Sequence, residues 1–508
     1  CGDVQTVLRL LEHDPELRDK KDANGEHALH YAAAAGHPEV CSVLLKYGAG
    51  IDAESKSGET ALIAAVRGKR KDVVRRLLDG DAALEPTDNQ GRTALMWAVV
   101  TQQLDVARSL IRAGANVDHG DKSGWTPLHQ AVVSEQPALV ELLLRHGADP
   151  LAEGTAGSTP WRNAWASFDS GERLVSLFLG YADPPECHRA AERGEIDRLR
   201  RIIRTEPDAW QRGDRYGWTA LHRAAWGGQA EALKVLLDQG AAADVRGCSR
   251  ITPLHIACWR GRMHCVEVLA KAGASLDAEM DLGVTPIMAA AQEGRVGVMK
   301  VLCKAGVDVN AVSTEGGTAL HCAALWRQLD VAAFLLDGGA RVDARLPGGE
   351  TPLMMSVVRR DNHKMVELLL QHGAPPDAAT AGGTTPLFIC ANHDDVAVGK
   401  LLIESGADIE ARNENGNRPL HRAASCGAPQ LVKLLVARGA EVDSVGSVRR
   451  TPLHIAAMNG HREIVRCLLD HGASPESRDR TGKVPLDYAS ENAHNEIVAL
   501  LREWGANK

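Results

Sequence analysis

The chain has 508 residues, of which 44% are hydrophobic, 24% charged and only 4% aromatic, a balance that suits a soluble protein of thin, closely packed layers better than one large core. Its formal charge of −8 is spread along the chain and argues against a general affinity for nucleic acid, and no apolar run approaches the ~18–20 residues of a membrane span. The 11 cysteines are scattered without a C-x-x-C pair, which argues against a disulfide framework and points to a reducing interior, the cytoplasm first and the nucleus second.

Residues 1–26 read as the rear of a unit. Val4, Val7, Leu8 and Leu11 mark the apolar face of a helix, and Asp22-Ala-Asn-Gly25 marks a turn. The chain opens on Cys1 without an initiator Met, so a repeat is expected to be cut through here and any targeting segment to be missing from view. From His27-Ala-Leu-His onward a fixed beat sets in. Thr-Ala-Leu or Thr-Pro-Leu recurs at Thr60, Thr93, Thr126 and Thr159, then at Thr219, Thr252, Thr285, Thr318, Thr351, Thr385 and Thr451. Arg418-Pro-Leu-His and Val484-Pro-Leu-Asp keep the register, and nearly every interval is 33 residues, with 34 from Thr351 to Thr385.

The unit at Thr252 shows what the spacing does. The Thr hydroxyl is placed to accept a hydrogen bond from the amide three residues on, and Pro253 takes the first helical position, where a missing N–H costs nothing. Small Ala257 allows close approach of the next helix, and Gly261 allows a tight turn. Val266, Val268 and Leu269 form the apolar face of a second helix, which Gly273 stops. A polar, Gly-containing finger then leads to the next Thr. No unit buries its apolar face alone, so units must stack. The motif T-P-L-H-x-A on this period resembles the ankyrin repeat, and the resemblance covers almost the whole chain. It implies an all-α solenoid of about fifteen helix-turn-helix units with β-hairpin fingers, plus an N-terminal partial unit.

Two kinds of departure stand out. After Thr159-Pro-Trp-Arg the next start is Pro185-Glu-Cys-His188, only 26 residues on, and its second helix is rich in Arg198, Arg200, Arg201 and Arg204. This predicts two arrays, 1–183 with a truncated first and a shortened last unit, and 184–508 with a capping final unit at 484–508; one continuous stack is the alternative. Several units also lack the inter-helix Gly and carry Lys69, Gln102, Glu135, Arg327, Arg360 or Asp394 instead, which predicts softer layers.

Chemistry is expected to be absent. No phosphate-binding loop, nucleophile elbow or H-E-x-x-H occurs, so no catalytic residue, cofactor or metal is assigned. The best metal candidate, His255, Cys258, His264 and Cys265, has Cys258 at a small buried slot. The T-P-L-H histidines have structural roles in the ankyrin family, as bridges within and between layers, which predicts the same here. A basic run, Arg67, Lys69, Arg70, Lys71, Arg75 and Arg76, reads as a solvated face, and Asp308-Val-Asn310 resembles a finger asparagine that an oxygen-dependent hydroxylase modifies in some ankyrin proteins.

The resemblance also places partner binding. In such stacks the groove is lined by finger residues and by the seventh and eighth residues after the Thr, positions that do not hold the fold. Here these are Trp125 and Trp218 on the finger side and Trp226, Trp259, Arg260, Leu325 and Trp326 at the helix ends, with Arg327 beside them. Trp and Arg dominate interface hot spots, so these eight residues are the candidate groove, with the Trp226 and Trp259 rings expected roughly 10 Å apart on one surface. The expectation is a non-enzymatic scaffold or adaptor that binds proteins or peptides, as a monomeric array within a larger protein. The alternative is the sensing or substrate-recruiting array of a receptor or enzyme whose effector domain lies upstream.

Overall fold

The structure, a computed structural model, describes residues 2–165, 171–181 and 183–506. The chain divides into two compact units, Cys1–Asp183 and Pro184–Lys508. Among the described residues, a lone α-helix, Val4–His13, precedes five helix pairs in the first unit, and the second holds ten pairs, from Glu186–Arg193 with Ile196–Thr205 to Pro485–Glu491 with Asn495–Ala506. Within each unit the inner, first helices pack on inner helices of the next pair and outer helices pack on outer ones. The fold is therefore an all-α repeat solenoid.

The pair Pro253–Trp259 and Met263–Lys271 forms for the reasons the sequence supplies. Thr252 sits in extended backbone and its Oγ1 accepts from the His255 amide at 3.4 Å. Gly261 and Gly273 take left-handed φ values of 71° and 83°, which close the turn and stop the outer helix without a Cβ clash. Leu254, Ala257, Val266 and Leu269 are fully buried. The core runs between pairs rather than inside one, which is why a pair cannot stand alone.

Four kinds of hydrogen bond stitch neighbouring pairs, each at a fixed sequence separation. The T-P-L-H histidines accept at Nδ1 from the amide of the capping residue, which leaves the proton on Nε2; that nitrogen donates to a carbonyl 29 residues on, at 2.8–3.3 Å, from His30, His129, His222, His255, His321, His421 and His454. Burial pushes His222, His255 and His421 down to about 4, so the rings are neutral. Eight residues before the Thr, Asp52, Glu85, Asp118, Asp244, Asn310, Asp377, Glu410 and Asp443 accept from an amide 31 residues on. Ten residues after it, Arg70, Arg295, Gln328, His461 and His494 donate to the end of the inner helix 36 residues back, where carbonyls lack helical partners. Finally, a finger amide donates to a finger carbonyl of the preceding unit, as Lys56 does to Asn24 at 2.9 Å and Cys248 to Tyr216 at 2.8 Å.

The fingers correct one expectation. No β-strand occurs among the described residues. Each finger closes on itself through a short turn, such as Gly91 N–H to Asp88 O at 2.8 Å with Asp88 N–H to Arg92 O at 3.1 Å, and a single backbone bond to its neighbour is too little to make a ladder.

Residues without the inter-helix Gly do adopt the left-handed turn, with φ of 58° at Lys69, 60° at Gln102, 50° at Glu135, 61° at Arg327 and 54° at Asp394. Arg360 does not; Asp361 takes that conformation at φ 57°. The extra residue of the 34-residue interval is the cause, because it lies in this loop and pushes the outer helix start to His363. The displaced Asn362 is buried and its Nδ2 donates to Ala324 O at 3.2 Å and Ser356 O at 2.9 Å.

Candidate partner-binding face

The tryptophans singled out in the sequence form an internal ladder. Trp218 is fully buried, stacks on His222 at 5.8 Å and meets Trp226 at 5.8 Å. Trp226 stacks on Trp259 at 5.9 Å with planes 28° apart, and both are buried, at 7% and 3% exposure. The guanidinium of Arg260 lies 4.4 Å over the Trp226 ring. These positions correct the expectation of exposed rings about 10 Å apart. Two large indoles projecting from one slot lean together and fill the gap between layers, removing each other from water.

The finger tryptophans are packing groups for a different reason. Trp125 stacks on His129 at 5.7 Å and is half-buried. Its ring lies against the next finger, where a Cβ on Gly154 would fall 2.9 Å from Trp125 Cδ1; on Gly247 it would fall 2.7 Å from Trp218 Cδ1. A Trp before the capping Thr therefore requires Gly at the start of the following finger. That Gly cannot cap the loop as Asp does elsewhere, and the tip turns through two left-handed residues, Ala156-Gly157 or Ser249-Arg250.

What stays accessible is narrower than the eight candidates. Leu325, Trp326 and Arg260 are half-buried and Arg327 is exposed, with its Nη2 donating to Asp361 O at 3.0 Å. At the same helix-end slot Val133 and Val358 are 50% and 44% exposed. Burial and the nearby Arg262 and Arg295 lower the Arg260 pKa, and burial raises that of Glu293, which sits 3.9 Å from Arg295.

A buried ionic lock beside the Trp ladder escaped the sequence reading. Asp214 Oδ1 caps its finger by accepting from the amides of Tyr216 and Trp218, and Oδ2 accepts from Arg223 Nη2 at 2.6 Å. Both side chains are 1% exposed, and Glu192 lies 3.4 Å from Arg223 Nη1. The same nine-residue spacing joins Asp22 to Tyr31, Asp88 to Trp97 and Asp479 to Tyr488 at 2.7–3.1 Å. An Asp five residues before the cap with a long donor four residues after it was the available signal.

The remaining candidates fall into the scaffold. His255 spends both ring nitrogens on Thr252 and Val284, Cys258 is fully buried, and His264 points to solvent beside Glu267. Among the described residues no three His, Cys, Asp or Glu side chains are placed to hold a metal ion. Asn310 accepts from Arg341 N–H at 2.7 Å and donates to Gly339 O at 3.0 Å, so it serves as a stitch. The basic run is divided among tasks: Arg67 pairs with Glu59, Arg70 donates to Ala34 O, Lys71 pairs with Asp105, and Arg75 and Arg76 are exposed. No helix among the described residues is long and apolar enough to cross a membrane.

The model of the family described as ankyrin repeats (3 copies) matches residues 1–88, 80–153, 187–280, 276–346, 339–413, 357–445 and 420–508. The chain belongs to the ankyrin repeat family. Local similarity extends to two ankyrin-sized stretches of curated proteins. The chain is 39% identical over 56 residues to the NAD-capped RNA hydrolase NUDT12 of Homo sapiens and of Macaca fascicularis, 11% of this chain and 12% of each relative. It is 44% identical over 52 residues to the probable E3 ubiquitin-protein ligase XBOS32 of Oryza sativa subsp. japonica, 10% of each chain. The chain thus spans about a tenth of the length of these relatives. Ankyrin repeats are in general protein-interaction modules, and their recurring Thr, His and Gly here are the groups that close the stack.

Proposed function

We propose that this ankyrin array is a non-enzymatic scaffold or adaptor that holds partner proteins or peptide segments on its inner face. The supporting observation is the division of labour along each unit. Recurring Thr, His and Asp side chains are consumed by caps and unit-to-unit bonds, whereas the side chains at the helix ends differ from unit to unit and leave Val133, Val358 and part of Trp326 exposed. Exposed apolar and aromatic groups on a rigid frame are the usual material of interface hot spots. Of the eight candidate residues, Leu325, Trp326, Arg327 and Arg260 are the contact group, and the buried Trp218, Trp226 and Trp259 fix its shape. Partners captured by cross-linking to the full chain test this. Leu325→Ala with Trp326→Ala should weaken the captured partner by about tenfold or more with the melting curve kept. The outer-helix pair Arg198→Ala with Arg201→Ala should change nothing. Equal binding by all three proteins would refute the assignment.

A second reading is a substrate-recruiting array within a larger signalling receptor or enzyme. It is favoured by the relatives matched, an NAD-capped RNA hydrolase and a probable E3 ubiquitin-protein ligase, each over about a tenth of its length. A catalytic domain in the same reading frame would carry it, and binding of that domain's substrate to the array is the measurement.

A further inference from the structure

The turns that join inner to outer helices carry an uneven charge. In four consecutive pairs of the second unit, those capped by Thr252, Thr285, Thr318 and Thr351, these turns hold Arg260, Arg262, Arg295, Arg327, Arg359 and Arg360 against Glu293 and Asp361. Six cations face two anions, in a chain whose formal charge is −8. The stripe has clear ends. The preceding turn, Gly227-Gly228-Gln229, is neutral, and the following one, His393-Asp394-Asp395, is acidic.

Arg260, Arg262, Arg295, Arg327 and Arg360 each have a defined neighbour. Arg260 lies over the Trp226 ring, Arg295 Nε donates to Trp259 O at 3.2 Å, Arg327 to Asp361 O at 3.0 Å, and Arg360 Nε to His393 Nδ1 at 3.5 Å. The Cδ of Arg262 would lie 2.8 Å from a Cβ on Gly228. Guanidiniums held by a stacked ring or a carbonyl need lose little freedom when they meet a carboxylate, which they engage through two parallel N–H groups. Glu293 lies 3.9 Å from Arg295 within the stripe.

We propose that this stripe binds an extended acidic segment of a partner protein. The idea rests on the interaction reading above and names the partner's chemistry. Three spacings of packed helices cover roughly 30 Å, which an extended chain crosses in about nine residues. A single-stranded nucleic acid is the less suited polyanion. Trp226 and Trp259 are buried against each other rather than open to stack bases, and Glu293 and Asp361 interrupt what would be a continuous phosphate track.

The test uses the full chain and three labelled probes of about ten residues: an alternating Glu-Gly peptide, an alternating Lys-Gly peptide and an oligothymidylate. The acidic peptide should bind, and its affinity should fall steeply as salt is raised. Arg260→Glu with Arg360→Glu should lower that affinity by at least about tenfold. Arg327→Gln with Arg360→Gln, both at exposed positions, should lower it too and guards against misfolding of the first variant. Arg198→Gln with Arg201→Gln on an outer helix should leave it unchanged. Equal binding of the acidic peptide by a folded stripe variant, or tighter binding of the oligothymidylate, would overturn the proposal. If the acidic peptide fails while Leu325→Ala with Trp326→Ala still releases the cross-linked partner, the acidic chemistry falls and the interaction reading stands.

Discussion

At the scale of single residues, the most exacting positions are polar and buried. His255 bridges two units with both nitrogens satisfied, so His255→Ala should lower stability by about 1–2 kcal/mol, the cost of a lost buried hydrogen-bonded group; chemical denaturation measures it. Its pH response follows from the direction of its shift. Burial depresses His222, His255 and His421 from the usual 6.5 to about 4. The unfolded chain therefore takes up protons first as pH falls. Stability held above pH 6.5 should drain between 6.5 and 4, and His255→Gln should flatten part of that slope in melting curves taken across the range. Asp214 and Arg223 carry a larger stake. Asp214→Asn leaves a buried guanidinium without its main counter-charge, a loss of about 3–5 kcal/mol, which should unfold the first pairs of the second unit before the rest. The sequence displayed the T-P-L-H histidines openly because they recur. It hid the Asp214–Arg223 pair because nine-residue spacing between a finger and a helix acquires meaning only once the chain has turned back on itself.

At the scale of elements, helix boundaries were legible almost to the residue, since Thr, Pro and Gly act on backbone torsions within three or four positions. Turns obeyed the same logic with one exception. A left-handed turn at Lys69, Gln102 or Glu135 costs a side-chain-bearing residue about 1 kcal/mol relative to Gly, less the entropy Gly gives the unfolded chain. Lys69→Gly should therefore raise the melting temperature slightly, while Arg360→Gly should not, because Asp361 takes the left-handed conformation there. Asp361→Gly is the matching positive control. The fingers teach the opposite lesson. Their composition suggested hairpins, yet at most one backbone bond between neighbouring fingers, replaced at Thr314 and Ser447 by a bond to a side chain, leaves them as isolated turns. The Gly247–Trp218 contact shows how a neighbour dictates finger chemistry: Gly247→Ala should destabilise, and Trp218→Leu in the same chain should restore part of the loss by vacating the space.

At the scale of the whole molecule, the chain contains two compact units whose division falls between Asp183 and Pro184. Limited proteolysis is expected to cut first within 160–187, near Asp169–Gly171 or Asp183–Pro185, and to release a folded C-terminal array; Asp169 and Ser170 lie outside the described residues. Even cleavage over all the fingers would remove the two-array account. The sequence by itself determined the period, the helix pairs, their caps and the family, because each depends on backbone preferences that repeat with the chain. Only the tertiary structure decided which tryptophans are available. Trp218, Trp226 and Trp259 occupy slots that the repeat pattern leaves open to solvent, and they are drawn inward because neighbouring units bring rings, Gly backbone and guanidiniums within contact, whereas Trp125 and Trp326 stay half-buried. A side chain's burial depends on what stands one unit away, about 33 residues along the chain, and a pattern read within one unit contains no term for it. The same distance explains the arginine stripe, whose six members lie within 101 residues of sequence, from 260 to 360, and come to adjacent turns when the pairs stack.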